Sequence, residues 1–221
     1  MSQPSKNIEA VAESIQWFCQ GCVKIQHSGK SIYFDPYKLK RADKADLILI
    51  THSHFDHYSV EDLKKIVTSE TAIFCPKDVA EKANELYAGK VITVSPGYET
   101  EWKGIGIKTV PMYNIVKKDK HPRVNNWVGY VLNLNGVKVY HAGDTERIPE
   151  MKDINCDIVF LPLGQTYTMN SVKDAANAVL DVNASVAIPI HYGMYEGKNE
   201  DALEFKRLLE EKVEVIILER N

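Results

Sequence analysis

The sequence predicts a single α/β domain, because short apolar strands alternate with amphipathic helices along most of its length. This alternation occurs in both halves of the chain, and a β-rich stretch separates them. The chain has 221 residues, of which 44% are hydrophobic and 26% are charged, a composition typical of globular proteins. No linker-like, repeated or low-complexity tract interrupts it, so we assign residues 1–221 to one domain.

The first half of the chain predicts a hairpin followed by alternating strands and helices. Apolar side chains recur at every second position at Ile15, Trp17 and Cys19, which is typical of a half-buried strand. Ser59 can cap a helix whose first turn carries acidic residues. The predicted elements are a helix over 8–13, strands over 15–19, 23–25, 31–35 and 46–50, a helix from 59, a strand over 71–75, a helix over 77–87 and a strand over 90–94.

The second half begins with the β-rich stretch and then alternates again. Asn135 and Gly136 form a dipeptide that favours a type I′ turn, so we expect the strands on either side of it to pair as a hairpin. Two similar αβ halves around paired sheets fit this order. The predicted elements are strands over 105–111, 127–134, 137–141 and 157–161, a helix over 171–181, a strand over 184–190, a helix over 199–211 and a strand over 213–219.

One short segment is rich in metal-binding side chains and directly follows a predicted strand: residues 51–57 read Thr-His-Ser-His-Phe-Asp-His. Side chains two positions apart in an extended chain point the same way, so His52, His54 and Asp56 can converge, and His57 follows on the turn. Imidazole nitrogen and carboxylate oxygen are ligands that Zn²⁺ accepts. The spacing favours a metal site, with room for two adjacent ions, over a solvated histidine-rich turn.

Two other strand ends supply further candidate ligands. Asp144 follows the strand over 137–141, and the preceding Gly143 lets the backbone turn tightly and direct the carboxylate. His191 follows the strand over 184–190 in the same way. Either residue alone is a weak signal, but functional side chains are commonly held on loops at the ends of a rigid scaffold.

These three motifs, in this order, resemble the metallo-β-lactamase superfamily of binuclear metal hydrolases, and the likeness spans most of the chain. The segments around Trp17, Asp35 and Tyr140 are most similar to its small stand-alone prokaryotic branch, related to lactonase-like and phospholipase D-like members. The resemblance implies a four-layer αβ/βα sandwich of two mixed β-sheets flanked by helices. It also implies that one ion is bound by His52 and His54, a second by Asp56, His57 and His191, and both by Asp144.

The sequence departs from this family near Gln20, where relatives commonly carry Gly-His, and at the third histidine of the first ion. The family places a third histidine for the first ion directly after the strand that here ends at position 111, where this chain reads Met-Tyr-Asn. The nearest replacement is His121, in the polar loop over 112–126, and Pro122 stiffens its approach. We expect His121 to complete the first site, with the side-chain oxygen of Asn114 or an empty first site as the alternatives.

Charge indicates the class of partner. With 27 Lys and Arg against 30 Asp and Glu, the formal charge of −3 offers no global field for nucleic acid or an anionic membrane. The loop over 117–123 is locally basic, which suits a small anionic substrate but also an ordinary solvated loop. We predict that Asn114, Arg123 and Tyr192 contact a small-molecule substrate. A homo-oligomer is compatible with the sequence.

The sequence also indicates a compartment. Its first residues are polar and no later run is apolar enough to span a bilayer, so we expect a cytoplasmic protein. The four cysteines are too sparse for a disulfide scaffold in a chain of this length. Reduced thiols are therefore expected.

Hydrolysis is the expected activity. Two divalent ions that share a water lower its pKa from about 15.7 to about 7, which gives a metal-bridging hydroxide at neutral pH. Asp56 is the predicted catalytic residue, because its carboxylate can orient that water and pass its proton to the leaving group. We predict an ester-like bond in the substrate, with a phosphodiester or a lactone ahead of a β-lactam. Zn²⁺ is the first choice for both ions, ahead of Mn²⁺, Ni²⁺ and iron.

Two other functions fit the same residues. One is a di-iron oxidoreductase on the same scaffold, although di-iron relatives in this superfamily favour glutamate where this chain has His54. The other is a non-catalytic metal-binding module, which the missing histidine after position 111 would favour if it leaves one ion without a full ligand set.

Overall fold

The computed structural model describes residues 5–87 and 90–221, and it contains two β-sheets packed face to face. The main hydrophobic core combines Phe34 and Leu49 of the first sheet with Tyr130 and Phe160 of the second, and it continues into buried residues of three helices. A smaller core lies between the first sheet and two helices. The predicted four-layer sandwich of two mixed sheets flanked by helices is confirmed.

The first sheet has six strands, which lie side by side in chain order. Its first three strands pair antiparallel, and the third to sixth run parallel to one another. The strands are β1 (Ile15–Cys19), β2 (Cys22–His27), β3 (Lys30–Phe34), β4 (Leu47–Leu49), β5 (Ala72–Pro76) and β6 (Val91–Val94).

The second sheet has seven strands, in the reverse of chain order. Its first four strands along the chain pair antiparallel, and the last four run parallel. Asn135 and Gly136 both have positive φ, as the predicted type I′ turn requires. The strands are β7 (Glu99–Trp102), β8 (Ile105–Pro111), β9 (Val128–Leu134), β10 (Val137–His141), β11 (Ile158–Pro162), β12 (Val186–Ile190) and β13 (Glu214–Val215).

The helices join successive strands, except that α1 leads into the first of them. They are α1 (Lys6–Glu13), α2 (Val60–Ile66), α3 (Lys77–Leu86), α4 (Val172–Asp181) and α5 (Asn199–Leu209). α2 begins at the predicted cap, because Ser59 Oγ accepts a hydrogen bond from the backbone N–H of Asp62. Within the described ranges, no helix has both the length and the apolar character needed to cross a bilayer.

Two strands differ from their predicted form. β7 has no counterpart among the predicted elements, because Glu99–Trp102 is a short edge strand of mixed polarity that pairs only with β8. The last strand is shorter than the predicted 213–219, since only Glu214–Val215 pairs with β12. The chain then crosses to the first sheet, where Arg220 forms a bridge to Trp17.

This topology brings the candidate site together at one edge of the sandwich. β4, β10 and β12 run parallel to a neighbour in their sheets, and the loops after them carry the histidine motif, Asp144 and His191. Backbone hydrogen bonds join the sheets at this edge: Val128 N–H donates to Thr51 O (3.1 Å) and His191 N–H to Gln20 O (3.1 Å). The site therefore lies where the two sheets are fastened together.

Candidate metal centre

The histidine motif occupies the loop between β4 and α2, and Asp35 fixes both of its ends. Asp35 Oδ1 accepts a hydrogen bond from the backbone N–H of Thr51 (2.7 Å), and Oδ2 accepts one from the Thr51 hydroxyl (2.7 Å). The same Oδ2 lies 2.8 Å from His57 Nδ1. All three side chains are buried. One carboxylate therefore sets both the entry to the loop and the orientation of its last histidine.

The first group of candidate ligands consists of His52, His54 and His121, whose ligand atoms all lie within 4.8 Å of one another. His52 Nε2 and His54 Nδ1 are 3.0 Å apart. Both ring nitrogens of His121 are buried and have no hydrogen-bond partner among the described residues. The Trp127 ring packs against all three imidazoles, with ring centroids 4.9 to 5.8 Å apart. The structure thus places His121 with the two histidines that the sequence analysis assigned to the first ion.

The second group consists of Asp56, His57 and His191, which also meet within 4.8 Å. Asp56 Oδ2 lies 3.8 Å from His57 Nε2 and 3.6 Å from His191 Nε2. His191 has a φ of 57°, a left-handed conformation that histidine adopts more readily than most residues. This backbone turn directs its ring from the end of β12 toward the motif loop.

Asp144 lies between the two groups. Its Oδ2 is 3.1 Å from His191 Nε2 and 3.3 Å from His57 Nε2, and it is 3.7 and 3.9 Å from the Nε2 atoms of His121 and His52. One carboxylate oxygen therefore faces four imidazoles drawn from both groups. This is the geometry expected of a ligand shared by two ions.

Gly143 is needed for that placement. It has a φ of 66°, and a Cβ at this position would lie 2.5 Å from Met112 Sδ and 3.1 Å from Thr51 Cβ. The predicted tight turn is therefore present, and a larger residue would displace the loop that carries Asp144.

Glu196 orients His191, and the sequence analysis did not find it. Its Oε1 lies 2.9 Å from His191 Nδ1, and its Oε2 accepts hydrogen bonds from the backbone N–H groups of Thr166 and Tyr167. A carboxylate at Nδ1 fixes the proton there and leaves Nε2 free to bind a metal. What distinguishes Glu196 is that a charged side chain is buried in a loop. Burial cannot be read from one sequence, so the sequence gives no local signal for this residue.

The loop that carries His121 is held by Glu146. The buried Glu146 carboxylate accepts hydrogen bonds from three successive backbone N–H groups, those of residues 115, 116 and 117, at 2.7 to 2.9 Å. Asn114 N–H donates to His121 O (2.8 Å), and Asn114 Oδ1 accepts from Glu146 N–H (3.0 Å). This network brings His121 back to the site from a position ten residues beyond the end of β8.

The two ligand groups differ in how their surroundings shift the pKa of their histidines. Burial lowers the pKa of His121 to about 4, and burial together with neighbouring rings lowers the pKa of His52 well below its usual value. In the second group burial opposes protonation but is outweighed by the surrounding carboxylates, Asp144 foremost. They raise the pKa of His57 to about 10 and that of His191 well above its usual value. The second group therefore stabilises positive charge.

Both groups fit divalent ions. His57 Nε2 and both ring nitrogens of His121 are buried without a hydrogen-bond partner among the described residues, an arrangement that is unfavourable unless something else binds there. Ligand atoms bound about 2.0 to 2.2 Å from one ion lie about 3 to 3.6 Å apart, close to the separations seen here. The arrangement can hold two neighbouring cations that share Asp144.

A cavity of about 450 Å³ opens onto this centre. Its floor contains ligands of both groups, and its walls are aromatic and charged. Phe55 is 64% exposed at the rim and lies edge-on to Tyr195, with ring centroids 5.6 Å apart. The lining residues are His54, Phe55, Asp56, Asp119, Lys120, His121, Asp144, Tyr167, His191 and Tyr195.

Three residues predicted to contact substrate do not line this cavity. Asn114 is buried, and its amide N–H donates to Tyr167 O (2.7 Å), so it supports a loop instead. Arg123 forms an ion pair with Glu150 (2.9 Å). Tyr192 is buried against Trp17. Their contacts with substrate, and the Asn114 oxygen as an alternative metal ligand, remain predictions that the lining of this cavity does not support.

The basic loop also differs from expectation. Lys117 lies 3.4 Å from Glu146 and donates to Asn170 Oδ1, so its charge is already paired. Lys120 lines the cavity, and its Nζ lies 3.0 Å from Asp119 Oδ2. The local positive charge is therefore partly neutralised.

Comparison with known proteins identifies similar sequences over most of the chain. Residues 14–191 match the family model described as the beta-lactamase superfamily domain. A UPF0173 metal-dependent hydrolase of Thermococcus onnurineus is 38% identical over 183 residues, which cover 79% of each chain.

Solved structures share the fold. A candidate metal-dependent hydrolase from Parabacteroides distasonis is 33% identical, with a TM-score of 0.82, over 94% of this chain and 93% of that chain. The diiron β-hydroxylase CmlA of Streptomyces venezuelae is 15% identical, with a TM-score of 0.75, over 93% of this chain and 52% of that chain. The second likeness concerns the fold alone.

Proposed function

Because this chain belongs to the metallo-β-lactamase superfamily, and within it to the UPF0173 metal-dependent hydrolases, we propose that it cleaves an ester-like bond at a centre of two divalent ions. Membership makes it a metal-dependent hydrolase. The number of ions, the bond cleaved and the roles of individual residues are the proposal.

The position of Asp144 carries this proposal. Its Oδ2 lies 3.1 to 3.9 Å from four imidazole Nε2 atoms, which belong to two separate ligand groups. A single ion would not need one oxygen that faces both groups. In the proposed centre, His52, His54 and His121 bind the first ion, Asp56, His57 and His191 bind the second, and Asp144 binds both.

The ligand types favour Zn²⁺ in the first group, because three imidazoles and one carboxylate are a common zinc ligand set. When bound, the two ions supply Lewis acidity and lower the pKa of a water from about 15.7 to about 7. The protein contributes fixed ligand positions. Asp35 and Glu196, at the far nitrogens of His57 and His191, hold those rings in the orientation that presents Nε2.

Asp56 is the proposed catalytic acid and base. Its carboxylate both belongs to the second group and lines the cavity, so it would be within reach of a bound metal and of a substrate in the cavity. In that position it orients the attacking water, accepts its proton and delivers a proton to the leaving group. Part of the carboxylate remains accessible from the cavity, with the side chain 10% exposed.

The cavity suits a small molecule with an apolar part. Phe55, Tyr167 and Tyr195 line one side and offer aromatic surface for that part. Lys120 supplies a cation on the cavity wall. We propose a phosphodiester or a lactone as the substrate, ahead of a β-lactam.

The geometry favours this function over its alternatives. An incomplete first group would support a non-catalytic module. His121, however, lies with His52 and His54, where a third imidazole is needed. A di-iron oxidoreductase is disfavoured by the imidazole of His54 in the first group.

A substrate panel tests the proposal. Purified protein is analysed for bound metals and assayed against a phosphodiester, several lactones and a β-lactam. We expect about two ions per chain, and hydrolysis of a phosphodiester or lactone that is lost on chelation and restored by Zn²⁺ or Mn²⁺. The Asp144→Asn variant should lose activity, whereas His27→Ala, on β2, should retain it. Fully loaded wild-type protein that cleaves neither class would refute the proposed bond type.

A further inference from the structure

The side chain of Gln20 lies against the second ligand group, although the sequence analysis gave it no function. Gln20 is fully buried in the turn between β1 and β2. The terminal nitrogen of its amide lies 3.0 Å from His191 Nε2 and 3.3 Å from Asp56 Oδ2. Its Oε1 is buried without a hydrogen-bond partner among the described residues. The amide is thus directed at two groups that the proposed centre uses as ligands.

The backbone holds this amide in place. Gln20 has a φ of 47°, and its carbonyl oxygen accepts hydrogen bonds from the Trp17 indole (2.9 Å) and from the His191 backbone N–H (3.1 Å). The next residue, Gly21, lies so close to the site that a Cβ would be 2.9 Å from His57 Cε1. The turn is therefore built against the ligands, and its side chain has a fixed direction.

The atoms that face the amide are ligands in the proposed centre. Glu196 lies at His191 Nδ1, so when a cation is bound the ring keeps its proton on Nδ1 and directs the lone pair of Nε2 at that cation. Asp56 Oδ2 presents another. Where these lone pairs bind a cation, an amide N–H would point toward positive charge, whereas an amide oxygen would be attracted to it. A half-turn about the last side-chain bond exchanges the two atoms with almost no change in shape.

We propose that Gln20 Oε1 is a ligand of the second ion, beside Asp56, His57, Asp144 and His191; this rests on the proposed two-ion centre. The amide nitrogen lies 3.0 Å from His191 Nε2 and 3.3 Å from Asp56 Oδ2, and after the half-turn Oε1 takes its place. These are the separations of neighbouring ligands of one ion, about 3 Å apart when each is bound at about 2.1 Å.

This ligand gives the two sites different ion preferences. The first group has three imidazoles and a shared carboxylate, whereas the second then has two imidazoles, two carboxylates and an amide oxygen. Oxygen ligands suit harder ions such as Mn²⁺, and imidazole suits Zn²⁺. The second site should therefore bind Mn²⁺ in preference to the first.

Two substitutions test whether the Gln20 side chain acts as a metal ligand or as a hydrogen-bond donor. Gln20→Asn keeps the amide and tolerates positive φ, but it withdraws the oxygen by one methylene. We expect it to weaken binding of the second Mn²⁺ by about 10- to 100-fold, with the first site unchanged. Gln20→Glu keeps the reach and offers only oxygens, so it should bind the second Mn²⁺ at least as tightly as wild type. Gln16→Glu, the same change on an exposed position of β1, is the matched control.

Affinity is measured by Mn²⁺ electron paramagnetic resonance and chelator competition, with circular dichroism melting to check the fold. If Gln20→Asn binds as wild type does, or Gln20→Glu loses the second ion, the proposal is wrong. A crystal structure of Mn²⁺-loaded wild type tests it without any variant: Oε1 should lie within about 2.3 Å of the ion. A loaded pair of ions with Gln20 remote from both would refute this inference and leave the proposed function standing, whereas failure to bind a second ion would count against both.

Discussion

Oδ2 of Asp35 lies 2.8 Å from Nδ1 of His57, and both side chains are fully buried. Asp35 accepts a hydrogen bond from Nδ1–H of His57, so Nε2 of His57 faces the ligand groups. Because Asp35 also accepts two hydrogen bonds from Thr51, the same carboxylate aligns both ends of the histidine loop.

Removing the charge of Asp35 should weaken the second metal site. In Asp35→Asn the amide has nearly the same shape but no longer favours one orientation of the His57 ring, so we expect about 10- to 100-fold weaker binding of the second ion. Chelator competition measures this. Asp157→Asn is the control, because Asp157 also accepts a backbone N–H, that of Lys138 (2.7 Å), but lies beside the start of β10, at the opposite end of that strand from Asp144. Unchanged affinity in a folded Asp35→Asn protein would contradict the assignment.

His121→Ala should remove one ion and leave the other. The first group would keep only two imidazoles besides Asp144, too few for a stable zinc site, whereas all residues of the second group would still be present. Elemental analysis of freshly purified protein should therefore fall from two ions per chain to about one. In Asn114→Ala the imidazole is still present, so we expect weakened rather than lost binding at the first site. Retention of both ions in His121→Ala would exclude His121 as a ligand.

Glu146→Gln should destabilise the protein in a pH-dependent way. Although burial opposes it, the backbone N–H groups of residues 115–117 and the Lys117 ammonium hold the pKa of Glu146 below its usual value. A lowered pKa in the folded state means that the stabilisation is present above the ordinary glutamate pKa of about 4.3 and is lost as the pH falls.

Urea unfolding of chelator-treated protein at pH 7 and pH 3 measures the effect of Glu146→Gln. We expect the variant to unfold with about 1 to 3 kcal/mol less free energy at pH 7, because charged hydrogen bonds to buried groups are lost. The difference should shrink at pH 3, because the stabilisation that a lowered folded-state pKa provides falls once the pH is below the ordinary glutamate pKa. An equal difference at both pH values would show that the charge of Glu146 is not what stabilises the loop.

Phe55→Ala should raise KM with little change in kcat for substrates that carry an apolar group. The ring lines the cavity and lies edge-on to Tyr37 and Tyr195, and as an apolar group it has no proposed part in the chemistry, so its loss should remove uniform binding of substrate and transition state. Val124→Ala, at an 84% exposed position outside the cavity, is the matched control. A fall in kcat with unchanged KM would place Phe55 in the chemical step instead.

The sequence predicted most of the fold because its elements are locally patterned. Apolar alternation, the Ser59 cap and the Asn135 and Gly136 turn each act over a few residues, and each is present in the structure. The candidate ligands could also be predicted from the sequence, since His52, Asp144 and His191 all follow predicted strands and parallel strands end at one edge. Edge strand β7 could not be predicted, because a strand that is exposed on one side and unpaired on the other has little hydrophobic pattern.

The supporting contacts depend on long-range folding and could not be predicted from one sequence. Glu196 reaches His191 only because the loop after β12 folds back, and Glu146 organises a loop thirty residues earlier in the chain. Asn114, Arg123 and Tyr192, which were predicted to contact substrate, lie outside the cavity lining for a related reason. Loop polarity identifies side chains near a site, but it does not show whether they point into the cavity or into the surrounding protein.

The ligand groups combine His52 to His57, attached to the first sheet, with Asp144 and His191, attached to the second. An ion bound there would link loops of the two sheets, so the two sheets should separate more readily once the ion is removed. Ligands that bind only the folded state stabilise it by about 2.7 kcal/mol at a hundredfold excess over Kd. Chelation should accordingly lower the melting temperature as well as abolish activity, and proteolysis should then begin at the sheet edges beside the motif.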